Sequence, residues 1–329
     1  MISKKFVKCI SFIINNTPFA KTILTHLGIQ KVIALGQKSG LLHFDHYTDT
    51  YWNSLDIVQN YINENATGDP DTIWQKDIPK RFPDKIPFQK CLVIGCGNGW
   101  VERELFDLGI GKSFDAFDIS EKYLEIAESK KENRKINYFM ADLDNLDSLP
   151  QNHYDAIFNV GALHHGFRLE RTLWYLNKSL KSDGLMFNFD YVGTAQHMYS
   201  DEHFELLQKI NKSLPQRFQS TQHFRPTKED FAFGDPTEAI NADLVRPLFE
   251  RFFEIIYEKN LNGGIGYPLL VNNTKEFEIN DKESQECLSK ILKLDQKYSE
   301  EKKIPILFWY GVGKPKQKNN IRNNEFLPD

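Results

Sequence analysis

Cysteine is scarce in this chain: Cys9, Cys91, Cys96 and Cys287 are the four among 329 residues, and no two of them form a C-x-x-C pair. That speaks against a disulfide scaffold and against a thiolate zinc site, and a chain this long can bury an adequate core without cross-links. Such thiol usage fits a reducing cytoplasm. Positive charge is not in surplus either. Lys and Arg number 41 against 45 Asp and Glu, a net charge of −4, whereas nucleic-acid binding calls for a basic stripe, so no nucleic acid is expected as a partner. No window reaches the roughly 18 uninterrupted apolar residues of a membrane span. Internal repeats and low-complexity tracts are absent as well.

The opening "MISKKFVKCISFII" sets lysines before an apolar segment, as a signal peptide does, but Lys8 interrupts that segment and no small-residue cleavage site follows. It reads as an amphipathic helix packed on the protein, with peripheral contact to a membrane surface as the weaker alternative. The closing "KPKQKNNIRNNEFLPD" is polar and expected to be loose.

From Cys91 onward short apolar runs alternate with helical patterns, the signature of a parallel sheet covered by helices on both faces. Strands are expected at "CLVI", "SFDAFD", "INYFM", "YDAIFNVG" and "GLMFNFDYV". Helices over residues 100–108, 121–131 and 169–180 lie between them, the last stopped at "KSDG" with Gly184 as its cap. After Val192 the rhythm breaks at "DEHFELLQKINKSLPQRFQ", an amphipathic helix that reads as an insertion above the sheet. It resumes with a helix near "NADLVRPLFERF", a strand "FEIIYEKN", a long polar helix near "DKESQECLSKILKLDQKYSEE" and a strand "IPILFWYGVG". The expected organisation is α/β, with a helical N-terminal region (residues 1–88), a core (89–192), an inserted helical cap (193–248), the C-terminal part of the core (249–314) and a flexible tail (315–329).

The stretch "KCLVIGCGNGWVERELFDLG" runs from an apolar strand through glycines into a helix. Backbone amides at such a turn approach a ligand closely only where side chains are missing, so Gly95, Gly97 and Gly99 matter together. A dinucleotide fingerprint would need a further glycine where Trp100 stands, which argues against NAD or FAD. The second strand then ends at Asp118 in "FDAFDIS", where a carboxylate can accept both ribose hydroxyls of an adenosine. The third ends at Asp142 in "FMADLDNL". Either Asp alone is more often a helix cap or a solvated loop residue; the ordered series carries more weight than its members.

That series resembles class I S-adenosylmethionine-dependent methyltransferases, over residues 90–192 and weakly over the C-terminal strands. The resemblance implies a Rossmann-like seven-stranded sheet, S-adenosylmethionine as cofactor, and binding by Gly95, Cys96, Gly97, Asn98, Gly99, Asp118 and Ile119. It also implies Asp142 at the adenine amino group, with Leu143 beside the ring. The family carries an acidic residue two positions before the first glycine, and Val93 stands there instead. The methionine amino group is therefore expected to meet backbone carbonyls in the glycine loop or at Asn159 and Val160.

The fourth strand ends in "NVGALHHGF" and the fifth in "FNFDYVG", so His164 or His165 and Asp190 are expected in one cleft beyond the strand ends. Methyl transfer is an in-line displacement in which positioning carries much of the catalysis. A hydroxyl nucleophile gains further from a base. Histidine, ordinarily titrating at about 6.5, suits that role near neutrality, and an orienting carboxylate stabilises its protonated form. His164 precedes Asp190 by 26 residues, a spacing similar to that of small-molecule and sugar O-methyltransferases with a His and Asp pair. This implies His164 as general base, with His165 in reserve. "LHH" is also widespread among class I methyltransferases acting on carbon, nitrogen and oxygen, in which a histidine can serve only to cap the helix. No metal is expected: adjacent histidines diverge, and no H-x-x-x-H pair or carboxylate cluster with ligand spacing accompanies them.

His197, His203 and His223 fall in the insertion with Tyr199, Phe204, Phe224 and Arg225. Tyr191, His197, Tyr199, His223 and Arg225 are the candidates to line a polar and aromatic acceptor pocket. "YWNSLDIVQNYINENATGDPDTIW" and "DYVGTAQHMYSDEHFELLQKINKSLPQRF" resemble bacterial methyltransferases of polysaccharide and glycan biosynthesis. The implied acceptor is a hydroxyl of a small molecule: a sugar, sugar nucleotide or glycan precursor. The rivals are methylation at nitrogen or carbon, a non-catalytic S-adenosylmethionine-binding scaffold, and an NAD oxidoreductase already weakened by Trp100.

Overall fold

A computed structural model describes residues 51–221, 224–227 and 235–317. The expected N-terminal helix, His223 and the tail beyond residue 317 lie outside the described residues.

Strand β1 (Cys91–Ile94) is only four residues long and buried throughout, as an uninterrupted apolar run demands of a central parallel strand. Cys91 and Val93 enter one core while Leu92 and Ile94 enter another across the sheet. To one side lie β2 (Phe114–Asp118) and β3 (Ile136–Met140); to the other lie β4 (Tyr154–Val160) and β5 (Leu180–Tyr191). Strand β7 (Phe308–Pro315) runs antiparallel between β5 and β6 (Phe253–Asn260). The order is β3-β2-β1-β4-β5-β7-β6, so all seven expected strands join one mixed, Rossmann-like sheet. Strand order runs outward from β1 in both directions. The switch point, where ligands bind in such folds, therefore lies beyond the carboxyl ends of β1 and β4.

Helices α1 (Asp56–Thr67), α2 (Trp74–Arg81), α3 (Trp100–Asp107), α4 (Glu121–Ser129) and α5 (Leu169–Ser179) come before β5. After it come α6 (Asp201–Lys212), α7 (Ala242–Phe252), α8 (Gly266–Leu270) and α9 (Lys282–Glu300). Trp74, Ile78, Val101 and Leu105 of α2 and α3 cover one face of the sheet, and Leu173, Phe249 and Phe252 of α5 and α7 cover the other. Ser120, Ser200 and Asp281 cap α4, α6 and α9 by accepting amides of their first turns. Among the described residues no helix is long and apolar enough to cross a membrane.

Two boundaries differ from expectation. Helix α5 stops at Ser179, because Leu180 already pairs with Tyr154 in the sheet; a register shift before Ala156 absorbs the next residues, so Gly184 lies within β5 and caps nothing. Strand β7 begins at Phe308, because Ile304 and Leu307 instead bury in a third core. That core joins Val58, Ile62, Leu207, Ile210, Leu270, Leu288 and Ile291 of α1, α6, α8 and α9 with Tyr191 at the end of β5. The long helix α9, polar in sequence, thus has an apolar side. Its fully buried Asp295 accepts the amides of Gly263, Ile265 and Gly266 and anchors the unforeseen α8.

Candidate active site

Beyond the strand ends lies a cavity of about 1170 Å³. Pockets for one small ligand span roughly 300–1,000 Å³, so this one has room for a cofactor and an acceptor together. Gly95, Gly97, Asp118, Ile119, Asp142 and Leu143 line it, as do His164, His165, Asp190 and Tyr191.

The glycine loop follows β1 with positive φ at all three glycines. A Cβ at Gly95 would fall 2.5 Å from that of Ala162, so glycine lets the turn after β4 close onto the loop. The Gly97 amide donates to Asp118 Oδ2 at 2.9 Å, and the Ser120 amide to Oδ1 at 2.8 Å. Each carboxylate oxygen keeps a second acceptor position for a ribose hydroxyl. Burial pushes the Asp118 pKa up, an electrostatic cost that donors from a ligand relieve. The turn after β3 is braced by Asp142 Oδ1, which accepts the Asp144 amide at 3.0 Å, and by Leu143 O, which accepts Thr172 Oγ1 at 2.7 Å. These features fit the adenosine part of S-adenosylmethionine.

Other expected cofactor residues shape the loop without lining the cavity. The Cys96 amide donates to Phe117 O, Asn98 O accepts from Arg103, and Gly99 precedes α3. Asn159, expected to offer its backbone carbonyl, has a structural side chain. Its side chain is enclosed, donating to Asn188 Oδ1 and Asp190 Oδ2 at 2.7 Å each while accepting the amides of Ala162 and Leu163. It is a strut between β4, β5 and the histidine turn, while the neighbouring Val160, likewise expected for its carbonyl, lines the cavity with Gly161.

His164 and His165 sit on one 3-10 turn, Leu163–His165. His164 Nδ1 lies 2.6 Å from Asp190 Oδ1. His165 Nδ1 lies 2.9 Å from Thr237 Oγ1, whose own proton goes to Asp235 Oδ1 at 2.6 Å. The threonine oxygen therefore accepts from His165 Nδ1–H. Contrary to expectation the rings do not diverge. Their centroids are 4.1 Å apart with planes at 38°, and Glu238 stands 3.8 Å from His164 Nε2 and 3.9 Å from His165 Nε2. Glu238 also lies 3.2 Å from His197 Nε2.

The electrostatics of this cluster differ from a lone imidazole's. Burial by itself pushes the His164 pKa down, but the charges and hydrogen bonds of Asp190 and Glu238 outweigh it and raise it to about 10. His164 is thus a cation at neutral pH in the unliganded protein, not a group titrating near 6.5 as expected. Burial and the neighbouring His164 charge keep His165 low and neutral. Burial acts against the Glu238 carboxylate, yet hydrogen bonds with His164 and His197 hold its pKa well below the usual range.

Of the acceptor candidates, Tyr191 lines the cavity and its ring lies 4.8 Å from that of His197. Tyr199 is buried against His203, and Arg225 donates to Tyr199 O, pairs with Asp201 and covers the Phe204 ring. Tyr199 and Arg225 hold the insertion together and are not among the cavity's lining residues; His223 lies outside the described residues. Sequence reasoning missed Glu238, Asp235 and Thr237, which sit in a turn with no periodic or motif signal, and Tyr267 from α8. It quoted "YWNS" but did not place Tyr51–Ser54 at the cavity wall. Among the described lining residues there is no Lys or Arg, against six carboxylates.

Residues 92–188 match the family model described as a methyltransferase domain. No curated protein matches the chain by sequence. Among solved structures, an S-adenosylmethionine-dependent methyltransferase from Mesorhizobium loti is similar at 17% identity and a TM-score of 0.44, covering 73% of this chain and 97% of its own. Phosphoethanolamine N-methyltransferase 2 of Haemonchus contortus, in complex with S-adenosyl-L-methionine, shares 15% identity at a TM-score of 0.44, covering 80% of this chain and 58% of its own. A putative sarcosine dimethylglycine methyltransferase from Galdieria sulphuraria shares 14% at a TM-score of 0.44, over 73% and 83%.

Proposed function

We propose that this chain, whose residues 92–188 match a methyltransferase-domain family model, uses S-adenosylmethionine to methylate a hydroxyl of a small, uncharged, hydroxylated molecule, a sugar or glycan precursor. The cofactor supplies an electrophilic methyl on a sulfonium. The observation that carries the hydroxyl reading is the 2.6 Å pairing of His164 with Asp190 inside the cofactor's own cavity. In the metal-free chain His164 must first lose its own proton, which Asp190 and Glu238 hold on the ring up to about pH 10. The deprotonated ring then receives the hydroxyl's proton at Nε2 while Asp190 holds it in place, so turnover by this route should rise with pH toward about 10. Tyr191 and Tyr267 offer aromatic faces for a sugar ring. A sugar nucleotide suits the cavity less well, because a diphosphate calls for Arg or Lys and the described lining residues include neither.

A cationic amine acceptor is the second reading, favoured by the same six carboxylates. The test incubates purified protein and S-adenosylmethionine with neutral sugars, sugar nucleotides and amines, following S-adenosylhomocysteine and methylated product by mass. Product from a neutral sugar supports the proposal. Product from amines alone overturns the hydroxyl reading, and failure of the folded protein to bind S-adenosylmethionine overturns the function as a whole.

A further inference from the structure

We propose that His164 Nε2, His165 Nε2 and the Glu238 carboxylate form a binding site for one divalent transition-metal ion, of the zinc or manganese class, open toward the acceptor's part of the cavity. Three independent features point there. The first is convergence: one donor atom from each residue lies within 4.8 Å of the others, and the two nitrogens are 3.8 and 3.9 Å from Glu238. Ligands about 2.1 Å from a tetrahedral zinc lie roughly 3.4 Å apart, so small side-chain rotations bring Glu238 into range. Two histidines and one carboxylate with open positions are a recurrent catalytic donor set.

The second feature is the surroundings. A metal-bound histidine usually donates its other ring N–H to a carboxylate or another oxygen, which fixes the tautomer and turns a lone pair toward the ion. Both histidines have that support. His164 is held by Asp190, itself braced by Asn159 and the Tyr191 amide. His165 is held by Thr237, which is fixed by Asp235. A general base needs one such ring, whereas this turn presents two side by side, with both Nε2 atoms facing one carboxylate.

The third feature is charge. Asp190, Asp235 and Glu238 surround the two imidazoles, and the described lining residues supply no Lys or Arg to balance them. A bound cation would.

The inference rests on the hydroxyl reading for what occupies the open position. There the ion would hold the acceptor's oxygen and lower its pKa, as metals do for bound water. The O–H bond breaks, its electron pair stays on oxygen, and the proton passes to water. In the loaded protein His164 is a ligand, so the base role belongs to the metal-free chain alone.

The test strips the full chain with a chelator, verifies its fold by circular dichroism, and titrates it calorimetrically with ZnCl2 and with MnCl2. S-Adenosylmethionine binding is measured on the same samples. One ion per chain is expected, with affinity falling at least tenfold in Glu238→Gln and in His165→Ala. Thr237→Val, which removes only the outer support, should lower affinity about 10- to 100-fold and leaves the donor atoms in place should the other variants fail to fold. Wild-type protein that binds S-adenosylmethionine but takes up neither ion overturns the metal site and leaves the methyltransferase reading standing. Uptake that folded Glu238→Gln and His165→Ala leave unchanged overturns it as well. Stoichiometric metal uptake without S-adenosylmethionine binding would instead overturn the function and keep the site.

Discussion

Asp190, at the end of β5, holds His164 from the turn after β4 at 2.6 Å and is itself held by the Asn159 side chain at 2.7 Å and the Tyr191 amide at 2.8 Å. The carboxylate is only 1% exposed, so its orientation is set by the sheet and not by solvent. A side chain fixed in this way fixes its partner.

His164→Ala should therefore keep S-adenosylmethionine binding and lose about 10² to 10⁴ in turnover, the range for removing a positioned acid or base. Asp190→Asn should lose part of the same effect. The double variant should lose less than the product of the two single losses, since the pair acts as one unit. Steady-state kinetics with an identified acceptor checks this, and near wild-type turnover in folded His164→Ala would remove the histidine from the chemistry.

Asp118→Ala should weaken the cofactor's hold on its ribose. Hydrogen bonds to a charged acceptor are worth about 1.5–3 kcal/mol, so calorimetric affinity for S-adenosylmethionine should fall about tenfold to a hundredfold. Unchanged affinity in the folded variant would place the ribose elsewhere in the cavity.

Glu102, fully buried on α3 beside the Tyr138 hydroxyl, makes stability depend on pH. Burial pushes its pKa up to about 7, against about 4.3 in an unfolded chain. Between those values the folded protein binds the proton and the unfolded chain does not. Stability contributed by this residue is therefore fully present below about pH 4 and falls as pH rises toward 7, levelling off above it. Glu102→Gln should flatten that slope and be more stable than wild type at pH 8, by about 4 kcal/mol at most. Urea unfolding at pH 5 and pH 8 measures it; an equal difference between the two proteins at both pH values would count against a buried, titrating Glu102.

Local signals carried much of this architecture. Apolar runs bounded by turn residues located all seven strands. For the central β1 and β4 this is because a strand buried on both faces leaves a continuous hydrophobic signature, whereas the edge strands β3 and β6 are buried only in part. Gly95, Gly97 and Asp118 were legible for a related reason: each stands at a strand end, where backbone geometry and the need for a close approach restrict the residue type. The pairing of His164 with Asp190 could be anticipated as well, since parallel neighbours bring successive strand ends to one edge.

Other features were not written locally. Gly184 looks like a helix cap, but pairing between Leu180 and Tyr154 draws the chain into the sheet earlier, and strand hydrogen bonds outweigh a local turn preference. Arg225 looks like a ligand-binding side chain, yet Asp201, Tyr199 and Phe204 engage it.

Composition, hydrophobic period and strand-end chemistry determined from sequence alone an α/β sheet with a glycine loop after its first strand and a His164–Asp190 pair brought into the same cavity. Tertiary structure decided what that histidine faces. Glu238 lies in a turn without periodicity, more than 70 residues from His164 and His165, and reaches both rings only because the insertion folds back over the ends of β4 and β5. Charge and donor direction at such a cluster depend on distances between segments far apart in the chain, and no local pattern of residues encodes those distances.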